Sequence, residues 1–210
     1  RWPGKAKPGT RCNQVVSSVD IAKTFTKLAG AEVPASFEGV DFAPLLADPS
    51  NPVRDYAFAE KNWHDFEDHV RMICDQRWKL IFNGYPDLTQ TPSADSARSP
   101  TFQSLVDLKD SGKLTAAQQA CFITPRPVIE LYDTDADPNE LQNLADKPEF
   151  AEIRAKLSQE LDRWAKRTGD YVPAKRTADE FDRVTGKPTP ARVRPRHSKE
   201  RMFADGLVAP

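Results

Sequence analysis

Apolar residues recur along this chain at two periods, and the change of period divides it into elements. Ile21, Phe25 and Leu28 fall at helical spacing between Ser17 or Ser18, which can cap a helix, and Gly30, which ends one. Asp20 lies in the first turn of that helix, where the dipole favours negative charge, and it is read as a helix-terminus residue rather than a metal ligand. Alternation then takes over. Strands are predicted at Tyr56–Glu60, Arg71–Asp75 and Arg77–Asn83, with Asp75-Gln76 at the hairpin turn, and at Val128–Tyr132. Asp133–Pro138 has the composition of a turn. The helical period returns from Pro148 to Lys166, where Phe150, Ile153, Leu157, Leu161 and Trp164 share one face. Trp78, Tyr132 and Trp164 fall on apolar positions and are read as core.

Between these elements the periodicity weakens. Residues 1–16 carry two Pro-Gly turns and then a short apolar strand around Val15 and Val16. Residues 31–54 form a proline-punctuated connector, with at best a turn of helix in FEGVDFAPLL. Residues 84–127 are rich in Pro, Ser, Thr and Asp. They contain one helical stretch, Thr101–Leu108, capped by Ser99. A loop of that length inside a domain is usually functional or inserted. From Tyr171 to Pro210 nine Lys or Arg stand against five Asp or Glu without periodicity, so an extended basic arm is expected. Its basic stretch, RVRPRHSKER at 192–201, offers charge to a polyanion; the plainer reading is a solvated tail that wraps its own enzyme.

Composition narrows the function classes. A formal charge of −1 over 210 residues gives no global field for nucleic acid or an anionic membrane. No apolar run reaches the roughly 20 residues of a membrane helix. Cys12, Cys74 and Cys121 are odd in number and widely spaced, so neither a zinc site nor a disulfide framework is expected, a single disulfide stays open, and Cys74 reads as a small core hydrophobe.

The candidate chemistry sits at NWHD. His64 stands between Asn62, Trp63 and Asp65 just after a strand, where loops present ligand-binding groups. The plainer alternative is a hydrogen-bonded structural histidine. Glu60, Glu67, Asp68 and His69 read as a solvated turn or helix face. Arg71 is either an anion-reaching residue or a strand-start arginine in a surface ion pair.

Five segments taken in order, RWPGKAKPGT, SSVDIAKTFTKLAG, FEGVDFAPLL, RMICDQRWKLIFN and ELYDTDADPNELQNLA, resemble the C-terminal part of type I sulfatases. Lys23 stands where that family commonly has proline. SPTFQSLVDLKDSGKLT with RPVIELYD, and NWHD, are most similar to the heparan N-sulfatases, or sulfamidases. The resemblance implies an alkaline-phosphatase-like α/β fold. Residues 1–50 would be the final elements of the large domain, 51–170 a small antiparallel sheet packed by one long helix, and 171–210 a tail. It implies hydrolysis of sulfate from glycans and, at the finer level, of the N-sulfate of glucosamine in heparan-type chains. In that setting Asn62, His64, Asp65 and Arg71 would contact the sugar or its sulfamate. Calcium and a formylglycine are implied for the complete enzyme, as is a periplasmic or secreted location (lysosomal in animals). The partners implied are the N-terminal sulfatase domain and a sulfated glycan.

The formylglycine motif C/S-x-P/A-x-R fits none of RCNQV, ICDQR or ACFIT, and no Asp-Asp pair stands where family metal ligands lie. No catalytic or metal residue therefore carries over, and the chain alone is expected to turn over no sulfate. The first helix is expected to expose an apolar face that meets the large domain. A non-catalytic polyanion-binding module is the alternative.

Overall fold

The computed structural model describes residues 2–192. Its centre is a four-stranded sheet in the order β1 (Ala57–Trp63), β2 (Glu67–Cys74), β3 (Trp78–Asn83) and β4 (Ile129–Asp133). The pairs β2/β3 and β3/β4 are antiparallel, with Ile73 opposite Leu80 and Leu80 opposite Leu131. This register places three fully buried aliphatic side chains side by side on one face. The Asp75 carboxylate accepts from the Arg77 and Trp78 amides at 2.8 and 2.7 Å, which closes the hairpin and starts β3 at Trp78.

The helices are α1 (Val19–Leu28), α2 (Pro44–Ala47), α3 (Ala94–Ala97), α4 (Pro100–Asp110), α5 (Ala116–Gln119) and α6 (Ala151–Thr168). Helix α6 follows a single 3₁₀ turn at Pro148–Phe150 and covers the sheet. Leu157 and Leu161 are buried against Ile73, Leu80 and Leu131, while Ile153 and Trp164 pack at the edge of the cluster. Trp164 stacks on Phe58 at 5.4 Å between ring centroids, and Phe150 lies 5.5 Å from Trp78. The four α6 residues singled out by period therefore do face the sheet. In the turn after β4, the Asn143 side-chain oxygen accepts from the Leu131 and Ala145 amides, each at 2.9 Å.

Two units separate by contacts. Of the described residues, the first comprises 2–62, 68–89 and 123–173, and contains α1, most of the sheet, and α6. The second comprises 63–67, 90–122 and 174–192. Its small core is Phe66, Ala94 and Phe181, with the Arg183 guanidinium 4.9 Å over the Phe66 ring. Ser99 caps α4 by accepting from the Phe102 amide at 3.2 Å. Residues 174–192 of the expected arm belong to this unit. Apart from Arg192, the basic stretch 192–201 lies outside the described residues.

Several local expectations change. No strand forms at Val15 and Val16; Val15 is buried in irregular backbone and Val16 is exposed. Strand β2 begins at Glu67, four residues before the predicted start. Asp68 and His69, expected on a solvated turn, are 2% and 3% exposed, because charged partners from distant segments, Arg126 for Asp68 and Asp170 for His69, take them in. Asp20 is fully buried, and accepts from the Ser17 and Val40 amides and from Arg54, which keeps it a structural carboxylate. All three cysteines are free, and burial pushes the Cys74 thiol above its usual range.

Candidate functional site

Alternation along β2 puts His69, Arg71 and Ile73 on one face, the face that α6 covers. Helix α6 stops at Gly169, whose left-handed backbone (φ 70°) turns the chain so that Asp170 follows at the helix end. The Asp170 carboxylate meets Arg71 in a two-point clamp. Arg71 Nε donates to Oδ2 at 2.7 Å and Nη2 to Oδ1 at 2.5 Å. Arg71 is 3% exposed, so this is a buried pair, and the guanidinium holds the Asp170 carboxyl below the usual carboxylate range.

The remaining Arg71 donors are also engaged. Nη2 donates to the Asn62 side-chain oxygen at 2.7 Å. Nη1 donates to the carbonyls of Val70 at 2.9 Å and Lys61 at 3.4 Å. A guanidinium carries five N–H groups, and each of the five has an acceptor here. Asn62 itself is exposed at the end of β1. The structure thus brings together two of the residues singled out from sequence, Asn62 and Arg71. It makes Arg71 a buried organiser where a surface arginine was one expectation.

His69 stands beside this clamp, Nε2 3.7 Å from Asp170 Oδ2, with Phe82 and Tyr85 edge-on to its ring. Burial first, and then the Arg71 charge, push its pKa down. Gly84 makes room for it, since a Cβ there would lie 2.7 Å from the imidazole Cδ2. Beside the imidazole is a cavity of about 160 Å³ lined by His69, Arg71, Phe82, Asp162 and Asp170. On the opposite face of β2, Asp68 pairs with Arg126 at 2.7 and 3.2 Å and with Lys61 at 3.3 Å. Burial alone would raise the Asp68 carboxyl; the Arg126 hydrogen bond and charge outweigh it and hold it low.

His64 and Asp65 fall in the second unit. His64 Nδ1 is 3.0 Å from Asp65 Oδ2, and the same oxygen accepts from the Ala94 amide at 2.7 Å. The imidazole is exposed and Asp65 half-buried, so the carboxylate is anchored while the ring faces solvent. Trp63, 40% exposed, precedes them. Asp95 completes a group whose ligand atoms lie within 4.8 Å of one another. This group does not fit calcium, which takes six to eight oxygen ligands. One of its three donors is an imidazole nitrogen, and Asp65 Oδ2 already accepts two bonds. None of the three cysteines stands in the formylglycine motif, and among the described residues no donor set fits calcium, so no chemical step is assigned to either group.

Sequence reasoning missed Asp170 and His69. His69 was detectable as the apolar-face partner of Ile73 at period two. Asp170 carried no signal beyond the Gly169 helix stop.

Residues 1–120 match the family described as N-sulphoglucosamine sulphohydrolase, C-terminal. An ulvan-active sulfatase of Formosa agariphila is 36% identical over 172 residues, covering 81% of this chain and 28% of the relative. Human N-sulphoglucosamine sulphohydrolase is 25% identical over 193 residues, 80% of this chain and 38% of its own length. A structure solved in complex with its substrate D-glucosamine-2-N,6-O-disulfate superposes with a TM-score of 0.57 at 24% identity. It covers 82% of this chain and 28% of the solved one. The chain thus spans between a quarter and two fifths of the length of these relatives. With the family match extending over more than half of its residues and the fold agreeing, the chain belongs to the C-terminal N-sulphoglucosamine sulphohydrolase family of sulfatases.

Proposed function

We propose that this chain is the substrate-recognising C-terminal portion of a sulfatase acting on sulfated glycans. The proposal includes the division expected from the resemblance: residues 1–50 completing a large domain, 51–170 forming the small one, and 171–210 a tail. The observations that carry it are two polar groups, each anchored within its own unit. Asn62 is held by Arg71, and Asp65 orients an exposed His64. Such groups discriminate sugar hydroxyls and sulfate oxygens, because a buried partner left unpaired costs roughly 1–3 kcal/mol. The nucleophile and metal of such an enzyme would come from the N-terminal sulfatase domain. The exposed apolar face of α1 is the surface proposed to meet that domain.

At the finer level we propose the N-sulfate of glucosamine in heparan-type chains as the bond hydrolysed. Support comes from the family description and from the likeness of residues 99–133 and NWHD to sulfamidases. A second reading, a sulfated algal polysaccharide of the ulvan kind, is favoured by the 36% and 30% identities to two ulvan-active sulfatases. Assaying the complete enzyme on N-sulfoglucosamine, a 6-O-sulfated glucosamine and ulvan oligosaccharides separates them. Turnover of the first above the others supports the sulfamidase reading. Turnover of ulvan fragments alone replaces it, and turnover of none rejects the sulfatase proposal in favour of a polyanion-binding module.

A further inference from the structure

Arg71 has no N–H left to offer a ligand, yet it is the most heavily bonded side chain at the proposed recognition site. Its effect must reach a ligand through what it holds. An arginine can only donate, so its bond to Asn62 fixes the orientation of that amide. The oxygen is turned toward the guanidinium and Nδ2 is left without a partner among the described residues. Asn62 is exposed, while the arginine behind it is buried. The arginine in turn is fixed by Asp170, from the far end of α6, through both of its carboxylate oxygens.

We propose that Asp170 is a positioning residue for substrate recognition. Through Arg71 it locks the Asn62 amide so that Nδ2 donates to an acceptor oxygen of the ligand, a sulfate or carboxylate oxygen of the sulfated sugar. This rests on the reading of Asn62 as a substrate contact. It makes residue 62 a donor of fixed direction rather than an amide that flips to suit either a hydroxyl hydrogen or an oxygen. Holding the amide in place before binding removes the ordering cost of a free side chain. It also sets a preference for ligands that present an anionic oxygen there.

The test is a set of variants of the complete enzyme, read as KM and kcat on its sulfated sugar, with melting temperature as the control. Asn62→Asp is the discriminating change. A carboxylate still accepts from Arg71, so the internal bond and the melting temperature persist, while the donor to the ligand is gone. We expect KM to rise by about 10-fold or more in Asn62→Asp and about 10-fold in Asn62→Ala, with kcat changing less than about 2-fold. Asp170→Asn, which loses the charged two-point clamp, should raise KM in the same direction by roughly 3- to 10-fold. If Asp170→Asn does not accumulate, Arg71→Lys is read in its place, because an ammonium keeps the charge but cannot span Asp170 and Asn62 with a planar fork. A raised KM in Asn62→Ala with a normal KM in Asn62→Asp would overturn the donor assignment and leave the recognition site standing. A normal KM in Asp170→Asn beside raised values in both Asn62 variants would remove Asp170 from the mechanism. Unchanged KM in all of them would reject Asn62 as a substrate contact, and the inference with it.

Discussion

Helices α1 and α6 are both amphipathic, yet they are turned opposite ways with respect to the chain that carries them. Helix α6 buries Leu157 and Leu161 against the sheet and leaves its charged residues in water. Helix α1 buries Asp20 and Thr24 and exposes Val19, Ile21, Phe25 and Leu28, with Phe25 62% exposed. The first is placed by apolar area, which is strong and undirected. The second is placed by directed bonds. Asp20 takes the Val40 amide at 2.7 Å and the Arg54 guanidinium, and the Thr24 hydroxyl accepts from the Phe42 amide at 3.0 Å. Gly39 lets that loop approach, since a Cβ there would run into the Val19 carbonyl. Polar contacts can hold a helix in register while its apolar face stays available, as the proposed docking of α1 on another domain requires.

The comparison breaks most severely at Asp20. Replacing it with Ala strands Arg54, whose side chain is only 13% exposed, and leaves two amides unpaired. Breaking a buried pair in this way should cost about 3–5 kcal/mol in urea denaturation of the complete enzyme. A loss under about 1 kcal/mol would mean that α1 is held by its apolar face alone. Leu157→Ala, in the closed core, should cost roughly 2–5 kcal/mol, and crystal or cavity-probe data should show the space it leaves. Phe25→Ser is the sharper probe of α1. If a domain covers it, the complete enzyme should lose about 1.5–3 kcal/mol. If the face is open to water, the change should stay within about 0.5 kcal/mol.

The smallest expected effect is a dependence on pH. The folded His69 pKa lies below its ordinary value of 6.5, so folding disfavours the protonated ring. The stability this represents is present above about pH 6.5 and is lost as pH falls toward the folded value. Asp68 and Asp170, both held low, add a further loss only below the carboxylate range. His69→Gln should flatten the first part of the acid limb of a melting-temperature profile and leave the second. An unaltered profile as the pH falls below 6.5 would remove His69 as its cause.

Much of the fold could be read from period alone. The strands and α6 lie within three or four residues of their expected places, because their apolar positions are consumed by this chain's own core. The exposed face of α1 was expected from the resemblance, which sets that helix against a larger domain, and not from period. Glu67–His69 were misread as solvated because a charge pattern says nothing about remote partners. Asp68 finds Arg126 at a separation of 58 residues, and Arg71 finds Asp170 at 99. Of the candidate site, the residue types around His64 could be named in advance. The bonds that orient them could not, since the Ala94 amide that anchors Asp65 comes from 29 residues away.

The central claim to test is that this chain recognises substrate while the chemistry is supplied elsewhere. The direct measurement is kcat/KM of the complete enzyme and its His64→Ala variant on N-sulfoglucosamine and on a small aryl sulfate. The account predicts a loss of roughly 10-fold or more on the sugar and a much smaller loss on the aryl sulfate, because only the sugar reaches the imidazole. Equal losses on both substrates, or none on either, would contradict it.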